Sequence, residues 1–248
     1  MTHHAHPYPI VIGLTGHAST GKDTVAQLLH THCGAHVTAF ADALRGEICD
    51  AFCIEHIFLT RREIKEHPMG ALALNRCMDT AFVDRMVAHH LAGIPQGGIE
   101  GERLDLAAPR SPRQIMQWWG TEYRRTNSPG YWTTRTRNHV QWLMSGVGAR
   151  LVVVSDVRFE NEAEMIRHQL NGFIWQIKRP GCDPAAQQHT SEVDGSAFAP
   201  DAVINNAHDL RHLQGLVLSE FAELAWRLPG VRVEVPQHPS TATEPASA

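Results

Sequence analysis

Residues 10 to 29 read IVIGLTGHASTGKDTVAQLL, and this stretch decides the fold class. Its β-branched start predicts a short buried strand, and the apolar residues after position 24 predict a helix. Between them, Gly16 to Gly21 and then Lys22 fit the pattern G-x-x-x-x-G-K. The glycines allow a tight turn that points several backbone N–H groups into one concavity. Because the helix N-terminus and the Lys22 ammonium add positive charge, the stretch predicts a polyphosphate-binding loop.

Asp23 is unusual, because the common pattern has serine or threonine directly after the lysine. Here the hydroxyl comes one residue later, at Thr24, which resembles the G-K-x-T ending of nucleoside monophosphate kinases and is expected to contact nucleotide phosphate. Two roles stay open for Asp23: it orients a water bound to Mg²⁺, or it only stabilises the first helical turn. The predicted ATP-binding residues are Gly16, His17, Ala18, Ser19, Thr20, Gly21, Lys22, Asp23, Thr24 and Asn205.

The composition is typical of a globular protein and excludes several classes of partner. The 248 residues are 43% hydrophobic and carry a net charge of −4, so no global basic field attracts nucleic acid. No segment approaches the roughly 20 apolar residues of a membrane span, and the N-terminus lacks the features of a secretory signal. Five cysteines without a C-x-x-C pair are typical of free thiols in a reducing compartment. We therefore expect a cytoplasmic protein; its oligomeric state, a homodimer included, stays open.

Short apolar or β-rich segments predict the strands of one parallel sheet. They are Ile10–Leu14, Val37–Phe40, Leu151–Ser155, Phe173–Ile177 and Ala202–Ile204. Helical patterns alternate with them, which is typical of an α/β fold with right-handed crossovers. Ligands of such sheets bind at the carboxyl ends of the strands, so the residues that follow each strand are candidate site residues.

The long gap between the second and third predicted strands indicates a helical insertion, in which we expect the second substrate to bind. The predicted domain spans about 8–228, with a core at about 8–60 and 150–228, the insertion at about 61–149, and a disordered tail at 229–248. Helical patterns lie near 79–92, 112–126 and 131–145, and a flap rich in glycine and proline covers 93–110.

Residues 111 to 125, SPRQIMQWWGTEYRR, predict an amphipathic helix of this insertion. Ser111 suits the N-cap, and Pro112 suits the first helical position. The polar face carries Arg113, Gln117, Thr121 and Arg124. This face either holds a phosphate and a base or is a solvated cationic surface, and the spacing alone leaves both interpretations open.

Asp156 and Arg158 follow the third predicted strand. An acid at this edge of a sheet can engage Mg²⁺ through water, and an arginine two residues later can clamp a phosphate through two hydrogen bonds. Asp23 and Asp156 are therefore the predicted metal residues, both through water. Asn161 with Glu164 predicts a capping pair for a helix over 161–170.

Two further basic segments have different predicted roles. Arg61, Arg62 and Lys65 alternate with glutamates, which favours a solvated charged helix. Arg179 begins a turn-rich segment over 178–192, which we expect to close over the phosphates with Arg179 as a stabilising charge.

Taken together, segments along most of the chain resemble the deoxynucleoside monophosphate kinases of tailed bacteriophages. They are GKDT (21–24), FADALR (40–45), LTRREIKE (59–66), the helix at 111–125, SDVRFENEAEMI (155–166), KRPG (178–181) with HTSE (189–192), and DAVINN (201–206). They occur in the order of that family and cover about residues 9 to 215. The resemblance implies the P-loop NTPase fold of nucleoside monophosphate kinases, with ATP and Mg²⁺ as cofactors and a deoxynucleoside monophosphate (dNMP) as acceptor.

The resemblance also implies functional residues at positions that stand in these motifs. They are Lys22, Thr24, Asp42, Arg45, Arg113, Gln117, Trp118, Arg124, Asp156, Arg158 and Arg179. Together with the patterns above, they give Lys22, Arg158 and Arg179 as catalytic residues. The predicted acceptor-binding residues are Asp42, Arg45, Arg62, Arg113, Gln117, Trp118, Thr121, Arg124 and Arg158.

The expected function is ATP-dependent phosphorylation of dNMPs to diphosphates, in the host cytoplasm if the gene is phage-borne. One alternative is a kinase for another small metabolite, such as dephospho-coenzyme A, against which the helix at 111–125 argues. The other is a nucleotide-dependent switch or binding module. The chain contains neither D-x-x-G nor N-K-x-D, the motifs that such a switch would use.

Overall fold

The computed structural model describes residues 9–61, 63–93, 103–182 and 198–228. Five strands form one sheet, in which every pair of neighbours runs parallel. The strands are β1 (Ile10–Thr15), β2 (His36–Thr38), β3 (Leu151–Val154), β4 (Phe173–Lys178) and β5 (Ala202–Asn205). Their order across the sheet is β2-β3-β1-β4-β5, so β1 is central and its carboxyl end lies between those of β3 and β4. The predicted parallel five-stranded sheet is confirmed.

Helices flank this sheet. They are α1 (Lys22–Cys33), α2 (Phe40–Phe52), α3 (Ile57–Thr60), α4 (Thr80–Ala92), α5 (Pro112–Gln117), α6 (Tyr131–Trp142), α7 (Glu160–Glu164) and α8 (Leu210–Arg227). Directly after α5, α6 and α7 come the π-helical segments Trp118–Arg125, Leu143–Val147 and Met165–Gln169. Two single 3₁₀ turns, Gly70–Leu72 and Leu74–Arg76, precede α4. The predicted helices of the insertion are therefore present. None of the described helices combines the length and the apolar character needed to cross a bilayer.

Side chains of β1 alternate between two apolar cores, one on each face of the sheet. Ile12 packs with residues of α1 and α8, whereas Val11 packs with the core to which α2, α4 and the helices after position 110 contribute. In that second core Phe82 lies against Trp119, with ring centroids 4.5 Å apart, and Phe52 contacts both rings. The insertion thus packs on the sheet side that α2 covers.

Three local predictions were wrong, and the first concerns the end of β2. The predicted strand extended to Phe40, but β2 ends at Thr38 and Phe40 begins α2. The Asp156 carboxylate, which comes from the turn after β3, accepts hydrogen bonds from the N–H groups of Phe40 (2.6 Å) and Ala41 (3.0 Å). This distant cap lets the helix begin immediately after the strand.

The second correction concerns the start of α7, where Asn161 and Glu164 do not form the predicted capping pair. The helix begins at Glu160, and the Glu162 side chain turns back to accept the N–H of Phe159 (3.2 Å). Glu162 therefore takes the position from which a carboxylate reaches the N-cap backbone.

The third correction concerns the segment around Lys65, which is not a charged helix. α3 ends at Thr60 because Arg61 adopts an extended conformation (φ −66°, ψ 126°), and residues 63–66 form turns. Lys65 is consequently partly buried near three arginines, an environment that the alternating charges did not indicate. Arg62 lies outside the described residues.

Candidate active site

The loop between β1 and α1 has a backbone conformation that favours glycine at Gly16 and Gly21, the two ends of the pattern. Gly16 and Gly21 have φ values of 136° and 104°, in the left-handed region. A Cβ on Gly16 would lie 2.3 Å from the carbonyl oxygen of Ile177, and one on Gly21 would lie 2.6 Å from Nδ2 of Asn206. Conformation and space therefore both require glycine, as expected for a phosphate-binding loop.

Lys22 lies over this loop rather than away from it. Its Nζ donates hydrogen bonds to the carbonyl oxygens of Gly16 (2.7 Å) and His17 (2.8 Å). The Thr20 hydroxyl, which is buried, donates to the same His17 carbonyl (2.9 Å). Of the other predicted ATP-binding residues, Ala18, Ser19, Asp23 and Thr24 are exposed. The charge and the exposed backbone needed to receive phosphate are thus at one place.

Asn206, one residue after the predicted Asn205, supports the loop. Its side-chain amide is buried and donates to the carbonyl of Thr20 (2.9 Å). Asn205 itself is exposed at the end of β5. Burial alternates at the end of β5, with Ile204 buried, Asn205 exposed and Asn206 buried. Because strand side chains alternate between faces, the spacing of two residues from the apolar Ile204 is the sequence signal that favours Asn206. A contact between Asn205 and ATP stays a prediction.

The chain after β4 passes beside the same loop. Arg179 is exposed there, and the Cys182 thiol lies 3.8 Å from the carbonyl oxygen of Ser19. Most of the segment predicted to close over the phosphates falls in 183–197, outside the described residues. The catalytic role of Arg179 stays a prediction, with its backbone placed at the loop's flank.

The Asp156 carboxylate caps the start of α2. Both carboxylate oxygens accept backbone hydrogen bonds at the start of α2, and burial raises the pKa of this carboxyl while those N–H groups oppose the rise. On α2 itself, Asp42 accepts from the N–H of Ala39 (2.8 Å) and from the guanidinium of Arg45 (3.0 Å). The metal role of Asp156 stays a prediction, and helix capping is the role that its contacts define.

Four cations from separate parts of the chain lie close enough for their charges to interact, and one of them, Arg158, follows β3. We call Arg45, Lys65, Arg113 and Arg158 the basic cluster. Partial burial lowers the pKa of Lys65, and the charges of Arg113, Arg158 and Arg45 lower it further. Asp42 pairs with Arg45, and Glu66 pairs with Arg113. Lys65 is the site candidate that sequence reasoning missed, because no spacing rule joins it to the three arginines.

Arg158 differs from the other members of the basic cluster. Its side chain is exposed, and within the described residues it forms no ion pair. The N–H of the preceding Val157 donates to the carbonyl of Leu14 (3.0 Å), two residues before the phosphate loop begins at Gly16. This bond ties the Arg158 turn directly to the strand that leads into the loop.

Arg124 has different partners from the phosphate that the sequence predicted. Its guanidinium lies 2.9 Å from the Glu47 carboxylate and stacks on the ring of Tyr123, with 4.3 Å between its carbon and the ring centroid. Glu47 also accepts hydrogen bonds from Trp119 (2.9 Å) and Tyr131 (2.5 Å). These contacts join α2 to α6 and to the segment after α5, so the contacts of Arg124 are those of an internal cross-link.

Replacing Arg124 with methionine should therefore lower the free energy of unfolding by about 2 kcal/mol, because a hydrogen bond to a charged group and the ring stacking are both lost. Urea unfolding measures this change. Arg135→Met is the matched control, because Arg135 reaches Glu47 at 3.4 Å from a more exposed position. Unchanged stability together with weaker binding of dNMP would instead return Arg124 to the acceptor site.

The remaining acceptor candidates lie on or beside the helix that begins at α5. Ser111 caps it as predicted, accepting the N–H of Gln114 (3.2 Å). Gln117 and Thr121 are exposed, whereas Trp118 is partly covered by the Arg110 guanidinium, whose carbon lies 5.6 Å from the ring centroid. Their contacts with an acceptor stay predictions.

The oxygen donors near the loop fit Mg²⁺ in the way that is usual for nucleotide sites, where the protein supplies few of the ligands. Among the described residues, no group of three or more His, Cys, Asp and Glu side chains is arranged to hold a metal ion. Mg²⁺ in phosphoryl-transfer sites is held mainly by substrate phosphates and water, with one or two protein oxygens. Thr24 and Asp23, both exposed in the first turn of α1, are suitable for that purpose.

Comparison of sequences finds a viral relative. The chain is 28% identical over 221 residues to a protein of Acanthamoeba polyphaga mimivirus described as a "Putative deoxynucleotide monophosphate kinase". The match covers 85% of this chain and 95% of the mimivirus protein. No family model matches the chain.

Comparison of structures finds weaker likenesses. The dephospho-CoA kinase from Campylobacter jejuni aligns over 88% of this chain and 98% of its own, with 12% identity and a TM-score of 0.43. A gluconokinase from Sinorhizobium meliloti aligns over 89% and 96%, with 13% identity and a TM-score of 0.39. A TM-score this low carries no argument, so the fold assignment rests on the parallel sheet, its strand order and the glycine-dependent loop.

Proposed function

We propose that the protein is a phosphotransferase that moves the γ-phosphoryl group of ATP to a dNMP. The observation that carries the proposal is the basic cluster, in which Arg158 lies on a turn that is hydrogen-bonded to the strand leading into the phosphate loop. Burial lowers the pKa of Lys65, and repulsion by the neighbouring arginine charges lowers it further. A site that holds four cations with two paired carboxylates gains most from binding a second anion near the one in the loop.

The loop is the donor side in this proposal. Its N–H groups and Lys22 would hold the β- and γ-phosphates of ATP, and Lys22 would leave the carbonyls of Gly16 and His17 to do so. Thr24 would hold Mg²⁺, which when bound neutralises charge on the transferring group, and Asp23 would act on the ion through water or only on the helix terminus. Arg179 would add a further positive charge from the segment after β4.

The basic cluster is the acceptor side. Arg158 would hold the acceptor phosphate through two parallel hydrogen bonds, and Lys65 would contribute a point charge. The chemistry then requires positioning and charge stabilisation rather than a general base, because a nucleotide phosphate is already an anionic nucleophile at neutral pH.

The choice of a dNMP rests on likeness rather than on the basic cluster, which would receive any phosphorylated acceptor. The sequence resembles phage dNMP kinases. The mimivirus relative, which aligns with this chain over nearly its whole length, is described as a "Putative deoxynucleotide monophosphate kinase". Gln117, Thr121 and Trp118, next to Arg113 on one helix, are the proposed contacts of sugar and base.

Asp23→Ser should be tolerated better than Thr24→Ala. Thr24 is proposed to contact phosphate and Mg²⁺ directly, whereas the Asp23 carboxylate acts through water or only on the helix terminus. Steady-state rates with ATP and dNMP at several Mg²⁺ concentrations compare the two variants. If Asp23→Ser is the more damaging change and excess Mg²⁺ restores its rate, Asp23 is a metal-site residue.

A panel of acceptors tests the proposal. Purified protein is incubated with ATP, Mg²⁺ and, in separate reactions, each of the four dNMPs or dephospho-coenzyme A, and products are separated by ion exchange. We expect ADP and a deoxynucleoside diphosphate in equal amounts with at least one dNMP. Phosphorylation of dephospho-coenzyme A alone, or ATP hydrolysis without a phosphorylated acceptor, would assign the site to one of the alternatives.

A further inference from the structure

Glu162 is a buried carboxylate for which the proposed reaction has no direct use. It is 2% exposed, and it receives three hydrogen bonds from two different parts of the chain. One oxygen accepts from the Arg125 guanidinium (2.9 Å). The other accepts the N–H groups of Arg158 (2.9 Å) and Phe159 (3.2 Å).

These bonds join the two structural parts that carry the acceptor candidates. Arg125 ends the segment that continues α5, whereas Arg158 and Phe159 lie in the turn after β3. The Arg125 guanidinium also stacks on the Phe159 ring, with 3.8 Å between its carbon and the ring centroid. Since Val157 is bonded to Leu14, the backbone at Arg158 is held between the end of β1 and Glu162.

We propose that Glu162 and Arg125 are positioning residues, which fix the turn after β3 against the acceptor helix so that the Arg158 guanidinium is presented to the acceptor phosphate. This inference rests on the proposed function. It assigns Glu162 an effect on acceptor binding although its side chain does not reach the acceptor. A rigidly held arginine loses less conformational entropy on binding than a mobile one, which is the physical gain of such a device.

This positioning is sensitive to pH because Glu162 is buried, and it also depends on the charges that face Glu162. They are those of Arg125 from the segment after α5 and of Asp156 from the turn after β3. Burial raises the pKa of Glu162 to about 7, against the opposing effects of the Arg158 N–H and the Arg125 charge. The ionic bond to Arg125 is therefore present above pH 7 and weakens as the pH falls through that value.

Loss of positioning at low pH is distinguishable from unfolding. Because the folded protein holds the Glu162 proton more tightly than the unfolded chain, this group alone stabilises the fold as the pH falls from about 7 toward the unfolded value. A higher acceptor KM at pH 6 without a lower melting temperature is thus the expected signature.

The kinetic test uses Glu162→Gln, with Glu164→Gln as the matched control because Glu164 is exposed on the same helix. At pH 8 we expect Glu162→Gln to raise the KM for dNMP about tenfold, with the KM for ATP unchanged and the control at wild-type values. Arg125→Met should have a similar effect, and the double variant should add little to either. Equal increases in both Michaelis constants would overturn the inference in favour of a merely structural role.

The pH profile is read as the ratio of the variant's KM for dNMP to that of the wild type. The nucleotide phosphate titrates near pH 6, but this affects both proteins equally and cancels in the ratio. We expect the ratio to fall from about ten at pH 8 toward one at pH 6, because protonated Glu162 resembles glutamine. A ratio that does not change with pH would contradict the account.

Hydrogen exchange measures the positioning without turnover. In Glu162→Ala, the amides of Arg158 and Phe159 should exchange at least about tenfold faster than in the wild type, while those of β1 keep their rates. Unchanged exchange at these amides overturns the inference. If the wild type phosphorylates no dNMP, the proposed function fails and the inference fails with it. If the wild type is active and Glu162→Gln keeps a normal KM for dNMP, only the inference fails.

Discussion

Lys22→Ala is expected to lower the rate of phosphoryl transfer about a thousandfold or more while the protein stays folded. The ammonium lies over the phosphate loop, 2.7 Å from the Gly16 carbonyl oxygen. Removing it leaves the charge that develops on the β- and γ-phosphates without its nearest fixed counter-charge.

Single-turnover rates with saturating ATP measure this loss, and far-UV circular dichroism checks the fold. Arg227→Ala is a suitable control, because Arg227 is an exposed cation at the end of α8 that pairs only with Glu223 among the described residues. A Lys22→Ala variant with near-normal turnover would contradict the assignment of the loop as the phosphate cradle.

Arg158→Lys is expected to raise the KM for dNMP about tenfold to a hundredfold and to leave the KM for ATP nearly unchanged. Lysine keeps the positive charge but loses the planar fork that can bind a phosphate through two hydrogen bonds. The effect should be large because the Arg158 backbone is fixed on both sides, by Val157 and by Glu162.

Arg113→Lys is the matched comparison within the basic cluster. Arg113 is also exposed, but it is already paired with Glu66, so its replacement should raise the KM for dNMP less than that of Arg158. If both variants instead weaken ATP and leave dNMP binding intact, the basic cluster belongs to the donor side.

Features of the fold that depend on local sequence could be predicted. The loop from Gly16 to Lys22 requires glycine where φ is positive, and that requirement is visible in the order of the residues. The strands are short apolar runs, and the N-cap at Ser111 depends on residues within one helical turn. In each case the physical cause and the sequence signal lie within a few positions of each other.

Features that depend on distant residues could not be predicted in the same way. Asp156 caps α2 from more than a hundred positions away, so β2 was expected to be longer than it is. Lys65 meets its arginine neighbours only in the folded chain, and nothing in its own segment distinguishes it from a solvated residue. Arg124 was placed correctly on its helix, but its partner Glu47 comes from α2.

The central claim is that the loop and the basic cluster serve one reaction, in which a phosphoryl group passes between two bound anions. The most direct measurement follows the label of γ-³²P-ATP in the presence of Mg²⁺ and a mixture of the four dNMPs. We predict that the wild type transfers the label to a deoxynucleoside diphosphate and that the Lys22→Ala variant does not. The Arg158→Lys variant should form the labelled diphosphate only at high dNMP concentration. Label that appears solely as inorganic phosphate, at a rate unaffected by dNMP, would contradict the account.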